Sequence, residues 1–169
     1  MLETPEELTR LQGLLDRSMA SAGPHLRSII TDERRLGAAA LAARLAGMRL
    51  LVLATATADG RPVTGPVDGY FLHGTFWFSS GADAVRMRHL AARPAVSATH
   101  LPGEDLAVSV HGTAELHPMS APAAAELRQA MLDEYLPKQG PSFEEWLDNA
   151  DALAARIEPA RMFTFHLGA

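Results

Sequence analysis

The chain has 169 residues, of which 47% are hydrophobic and 21% charged, with a formal net charge of -5 and no cysteine. Those values describe one globular domain with enough chain for a core, and they argue against disorder and against a nucleic-acid partner. They exclude disulfides and zinc-thiolate sites. No apolar run reaches the ~20 residues of a membrane span, and the acidic start Met1–Glu7 lacks the parts of a secretion signal, so a cytoplasmic protein is expected.

Thr4-Pro5-Glu6-Glu7 places a hydroxyl, a proline and a glutamate where a capping box needs them, and Leu8, Leu11, Leu14, Leu15 and Met19 repeat at helical spacing. A helix is therefore predicted to about Ala20, broken by Gly23-Pro24. A second helix is predicted from Thr31 or Asp32 to Gly47, carrying Leu36, Ala40, Leu41 and Leu45. Strands follow at 50–57, 61–71, 75–79, 95–101 and 106–116. Asp59-Gly60 and His73-Gly74 turn the first hairpins, and a short basic helix separates the third strand from the fourth. On that helix Ala84, Met87, Leu90 and Ala91 form the expected buried stripe. After Pro118 come a helix at 121–136, a loop over Pro137–Pro141 and a second capping box, Ser142-Phe143-Glu144-Glu145, opening another helix. The last predicted strand is Arg161–His166. Short strands joined by tight turns describe an antiparallel barrel or meander, mainly β with flanking helices. The division expected is a helical arm over 1–47 and a barrel domain over 48–169.

The candidate ligand chemistry gathers near the end of the third strand. Ser79 and Ser80 offer hydroxyls beside a helix N-terminus, and Arg86 and Arg88 offer guanidinium groups suited to phosphate. The two arginines lie about 160° apart around the helix, so one regular helix cannot aim both at the same oxygen. The plain alternative is a surface helix with two solvated arginines. In Val63-Thr64-Gly65-Pro66-Val67 the glycine and proline mark either an edge strand or bulge, or a groove in which a flat ring lies on backbone bared at Gly65. Trp77, between Phe76 and Phe78, reads as core. The seven histidines show no pair at i, i+4, so a metal centre has no support, and no nucleophile elbow, P-loop or Gly-x-Gly-x-x-Gly is present. Asp68, Glu104 and Glu115 are isolated acids.

The chain resembles the pyridoxamine-phosphate-oxidase-like split-barrel superfamily. The resemblance rests on Leu53-Ala54-Thr55, Asp59-Gly60-Arg61-Pro62, Pro66-Val67, Trp77-Phe78-Ser79, Arg86-Met87-Arg88-His89-Leu90, Arg93-Pro94-Ala95-Val96-Ser97 and Val110-His111-Gly112-Thr113-Ala114, in the family's order. It implies a split β-barrel homodimer with FMN, or the 8-hydroxy-5-deazaflavin coenzyme F-420, in grooves between subunits. It also implies that the cofactor phosphate meets Arg86 and the hydroxyls near Ser79 and Ser80, within the basic segment Arg86-Met87-Arg88. The ring would lie along Val63–Val67, beside the Trp77 strand. Pyridoxamine-phosphate oxidases carry further basic residues on the second strand and an arginine-histidine motif near the C-terminus. Here those places hold Thr64 and Gly65, and Phe165-His166-Leu167, which argues against synthesis of pyridoxal phosphate. The expected function is two-electron oxidation or reduction of a small organic substrate, with a non-catalytic cofactor or haem carrier as the alternative. No catalytic side chain is singled out, because the cofactor supplies that chemistry.

Overall fold

The structure, a computed structural model, describes residues 2–168. Helix α1 (Pro5–Ala20) starts with the predicted capping box: the Glu7 amide donates to the Thr4 hydroxyl at 3.3 Å, and the Thr4 amide donates to the Glu7 carboxylate at 2.8 Å. Pro24 opens a short helix α2 (Pro24–Ile29), and α3 spans Ala38–Arg44. The predicted helix over 31–47 is therefore divided. Only a single 3-10 turn forms at Asp32–Arg34, and Arg35 and Gly37 are extended. Leu36 is held by tertiary contacts: its amide donates to the Thr164 hydroxyl at 2.9 Å, and that hydroxyl donates back to the Leu36 carbonyl at 3.3 Å.

Six antiparallel strands follow: β1 (Met48–Ala56), β2 (Pro62–Leu72), β3 (Thr75–Gly81), β4 (Ala95–His100), β5 (Leu106–Pro118) and β6 (Ala152–His166). They close into a barrel in the order β1-β2-β3-β6-β5-β4. His73 and Gly74 both have positive φ, as the tight β2–β3 turn requires. Helix α4 (Val85–Ala92) joins β3 to β4, while α5 (Ala125–Gln139) and α6 (Ser142–Asn149) lie between β5 and β6 in sequence. This is the split-barrel architecture expected, mainly β with flanking helices.

The last strand is much longer than the predicted 161–166. It begins at Ala152 and pairs first with β3, then with β5 along its whole length. Ala154, Ala155 and Ile157 are all buried, because this stretch is covered by the barrel interior on one face and by α5 and α6 on the other. A strand buried on both faces loses the alternation by which a strand is recognised. Its register slips opposite His111 and Gly112, where Pro159 sits at a bulge, a position that tolerates a missing amide.

Two further expectations are corrected. Pro137 lies inside α5, one turn from the end set by Gly140 (φ 77°), so the loop is shorter than predicted. Ser142 is the first residue of α6 and not its cap; its hydroxyl donates to the Gln139 carbonyl at 3.2 Å, so no capping box forms.

The barrel interior holds Leu51, Leu53, Phe76, Phe78, Val108 and Met162, and α1 and α3 extend the same cluster with Leu11, Leu14, Leu41 and Leu45. Ser18 stitches α1 to β6 by accepting the Met162 amide at 2.9 Å. A second cluster lies outside the barrel wall, where Leu127, Met131, Phe143 and Leu147 cover Tyr70, Leu72 and Ala154. Each large side chain so buried contributes ~1.5–3 kcal/mol. Among the described residues no helix is long and apolar enough to cross a membrane.

Candidate functional site

Strand β2 pairs with β1 from Pro62 to Tyr70, but with β3 only from Gly69 to Leu72. Beyond the Gly69–Phe78 rung the two strands part, while β3 keeps its pairing with β6 on the opposite edge as far as Gly81. One edge of β2 over Val63–Asp68 is therefore unpaired by any strand. The split is roofed by α5 and α6 and forms a cleft of about 950 Å³, the size of a site for a small ligand.

One wall of this cleft is Pro66, Val67, Asp68 and Tyr70 of β2. The second is Ser79, Ser80 and Gly81 of β3 with Asp83 and Arg86. The roof is Met131, Tyr135, Gln139, Phe143 and Trp146, and Ala150–Ala152 close the side. Tyr135, Phe143 and Trp146 form an aromatic row, with centroid separations of 5.0 and 5.6 Å between successive rings. Flat ligands gain from such a surface.

Arg86 is half-buried and has no ion-pair partner among the described residues. Its guanidinium lies 3.5 Å from the place a β-carbon on residue 65 would take. The space bared at Gly65 thus faces Arg86. The two arginines separate as helical geometry requires: Arg88 is exposed, donates to the Asp83 carbonyl and does not line the cleft. Met87, between them, is 1% exposed and belongs to the core, as does Leu90, whereas Ala91 faces solvent and leaves the predicted stripe.

Ser79, Ser80, Arg86, Pro66 and Val67 are brought together. Val63, Thr64, Gly65, Trp77, Met87 and Arg88 do not line the cleft of a single chain. Val63 and Thr64 are exposed, and Trp77 is half-buried on the outer face of β3, its ring 6.2 Å from that of His117. The Ser79 hydroxyl donates to the Met131 sulfur at 3.6 Å, which ties β3 to the roof.

Asp68 is the one acid singled out from sequence that reaches the cleft. Glu115 instead pairs with Arg156 at 3.3 Å, and Glu104 lies in the exposed β4–β5 turn. The Tyr135 hydroxyl donates to Asp68 Oδ2. Behind this pair the Tyr70 hydroxyl is buried without a hydrogen-bond partner among the described residues. Burial pushes the Tyr135 phenol up to about 12, with the Asp68 charge adding to it; Tyr70 is raised further, again chiefly by burial. Both phenols are protonated donors at any ordinary pH. The cleft also holds Asp83 and Asp151, and Arg86 is the one cationic side chain among its described lining residues. Tyr70, Met131 and Tyr135 were not legible as site residues. The only signal was that Pro66, Asp68 and Tyr70 share one face of β2 at i, i+2, i+4.

A family model described as Pyridoxamine 5'-phosphate oxidase matches residues 38–164. Among solved structures, a conserved hypothetical protein from Mycobacterium tuberculosis is 22% identical, with a TM-score of 0.64 over 80% of this chain and 88% of its own. The haem-storage protein HutZ from Vibrio cholerae is 18% identical, with a TM-score of 0.60 over 71% of this chain and 88% of its own. A FAD-binding protein from Mesorhizobium loti is 20% identical, with a TM-score of 0.56 over 80% of this chain and 98% of its own. At these identities the structural likeness establishes a shared fold. No curated protein matches the chain.

Proposed function

We propose, for a chain that belongs to the pyridoxamine 5'-phosphate oxidase family, that it binds a flavin-type cofactor, FMN or the deazaflavin coenzyme F-420, in the cleft between β2 and β3. There it serves two-electron oxidation or reduction of a small organic substrate. The observation that carries this reading is the split itself: an unpaired guanidinium, Arg86, stands at one end of a flat slot between the β2 edge and an aromatic roof. Arg86 would hold the cofactor phosphate, assisted by the Ser80 hydroxyl. Pro66 and Val67 would support the ring against Tyr135, Phe143 and Trp146. The bound cofactor supplies the hydride chemistry; the protein orients it, excludes water beneath α5 and α6, and sets the local charge.

The donor set favours this reading over a haem carrier. Haem iron is held by histidine, cysteine, methionine or tyrosine. Among the described residues of the cleft only Met131, Tyr70 and Tyr135 are of those types, and Met131 and Tyr135 are engaged by Ser79 and Asp68.

The same reading includes a homodimer that completes the site. Leu50 and Val52 on β1 are 55% and 52% exposed, and Leu101 after β4 is 62% exposed. Val52 pairs with Pro66 of the cleft wall, so a second copy seated on this face borders the cofactor.

The test is the absorbance of freshly purified protein, followed by titration with FMN, coenzyme F-420 and haem. A flavin or deazaflavin band, or saturable binding of either cofactor, is expected. A Soret band, with no affinity for either cofactor, would replace this reading with the carrier.

A further inference from the structure

The floor of the cleft carries a polar corner that phosphate binding leaves unused. Asp68 faces the cleft from β2, with Oδ2 taken by the Tyr135 hydroxyl and no partner on Oδ1 among the described residues. Tyr70, 2% exposed, packs behind this pair, its buried hydroxyl without a hydrogen-bond partner among the described residues. The corner therefore offers a carboxylate oxygen, Asp68 Oδ1, with no donor of its own among the described residues, a pattern complementary to an N–H on the edge of a ring.

We infer that Asp68 accepts a hydrogen bond from the imide N–H of the bound ring, and that Tyr135 is a positioning residue for that carboxylate. This rests on the flavin-type reading above. Flavin and deazaflavin share the imide edge, so the corner serves either cofactor, whereas haem has no such group. Asp68 lies three residues beyond Gly65, about 10 Å along β2, and Asp68 and Arg86 both line the cleft. A ligand with an anion at one end and an imide at the other spans that interval in one direction only, because the Asp68 charge repels the phosphate. The aromatic roof over Asp68 covers the intervening ring.

Two ring analogues without a phosphate tail make the test: lumiflavin and 3-methyllumiflavin, in which a methyl group replaces the imide hydrogen. Each is titrated into full-length wild-type protein, Asp68→Ala, Asp68→Asn and Tyr135→Phe, with folding checked by far-ultraviolet circular dichroism. A charge-assisted hydrogen bond corresponds to about ten- to a hundredfold in affinity. Wild-type protein should prefer lumiflavin by about that factor. Asp68→Ala should bind the two alike, and Asp68→Asn and Tyr135→Phe should show a reduced preference. The same pair of measurements with the 8-hydroxy-5-deazaflavin ring and its 3-methyl form should show the same preference. Equal binding of both forms of both rings to wild-type protein, or a preference unchanged in Asp68→Ala, would overturn the inference and leave the flavin-type reading standing. Wild-type protein that bound FMN, coenzyme F-420 and the free rings not at all would overturn both.

Discussion

The carbonyl oxygen of Glu158 stands where a β-carbon on residue 112 would have to be. Gly112 sits at the register slip between β5 and β6, and the missing side chain is what lets the bulged strand come so close. Gly112→Ala is expected to lower unfolding free energy by about 1–3 kcal/mol through backbone displacement. Gly65→Ala is the contrast: its β-carbon would meet Arg86 at 3.5 Å, an ordinary contact, and stability should barely change. Urea unfolding of both variants decides the matter. Equal midpoints would mean the β5–β6 bulge adjusts freely.

Thr164 serves Leu36 as both acceptor and donor, at 3% exposure. Thr164→Val keeps the shape and removes the hydroxyl, leaving the buried Leu36 amide unsatisfied. A loss of about 1–3 kcal/mol is expected. Hydrogen exchange should then show the Leu36 amide unprotected; continued protection would indicate that another acceptor takes the place of Thr164.

His73 at the β2–β3 turn bridges two helices. Its Nδ1 lies 3.0 Å from a carboxylate oxygen of Glu7 on α1, and its Nε2 bonds the Glu126 carboxylate on α5. The hydrogen bond with Glu7 leads the causes that raise the imidazole above its usual range; with both carboxylates ionised, the protonated ring donates from both nitrogens. A raised folded-state pKa means this stabilisation is complete below the ordinary histidine value and disappears as pH rises through the raised one. Glu7 is shifted down, chiefly by the Thr4 amide, so its contribution is lost only as pH falls through that depressed value. His73→Asn retains the positive φ of the turn (55°). The melting-temperature gap between wild-type protein and this variant should be widest near pH 6 and narrow by about pH 9. A gap independent of pH would remove the protonated bridge from the explanation.

If the cleft binds a cofactor phosphate at Arg86, Arg86→Ala should weaken FMN or coenzyme F-420 binding by roughly ten- to a hundredfold. Arg88→Ala should cost much less, because its guanidinium bonds the Asp83 carbonyl and does not line the cleft. Titration at fixed salt compares them. Undiminished affinity in Arg86→Ala would disprove the clamp.

The proposed dimer predicts that a charge placed on the uncovered β1 face, as in Leu50→Asp or Val52→Asp, yields monomers with weaker cofactor binding. Both positions are more than half exposed in the single chain, so the monomer fold itself should be unharmed. Light scattering at micromolar concentration reports the outcome. A wild-type protein already monomeric there would defeat the proposal.

Local chemistry was legible in the sequence. Thr4 and Glu7 cap α1 because their partners are three residues apart, and His73-Gly74 turns the β2–β3 hairpin because positive φ is a property of those two residues themselves. The succession of strands along the chain and the opposite aims of Arg86 and Arg88 follow from local patterning in the same way. Tertiary structure alone decided the rest. Leu36 left the helical pattern for Thr164, 128 residues away, and the 152–157 stretch became strand because α5 and α6 bury its outer face. The cleft corner joins Asp68 to Tyr135 across 67 residues, and no spacing encodes that pair. Caps and turns are settled within a few residues of backbone. Which side chains share a cleft is settled by how the barrel closes and by where β2 and β3 separate, a consequence of the packing of the whole chain.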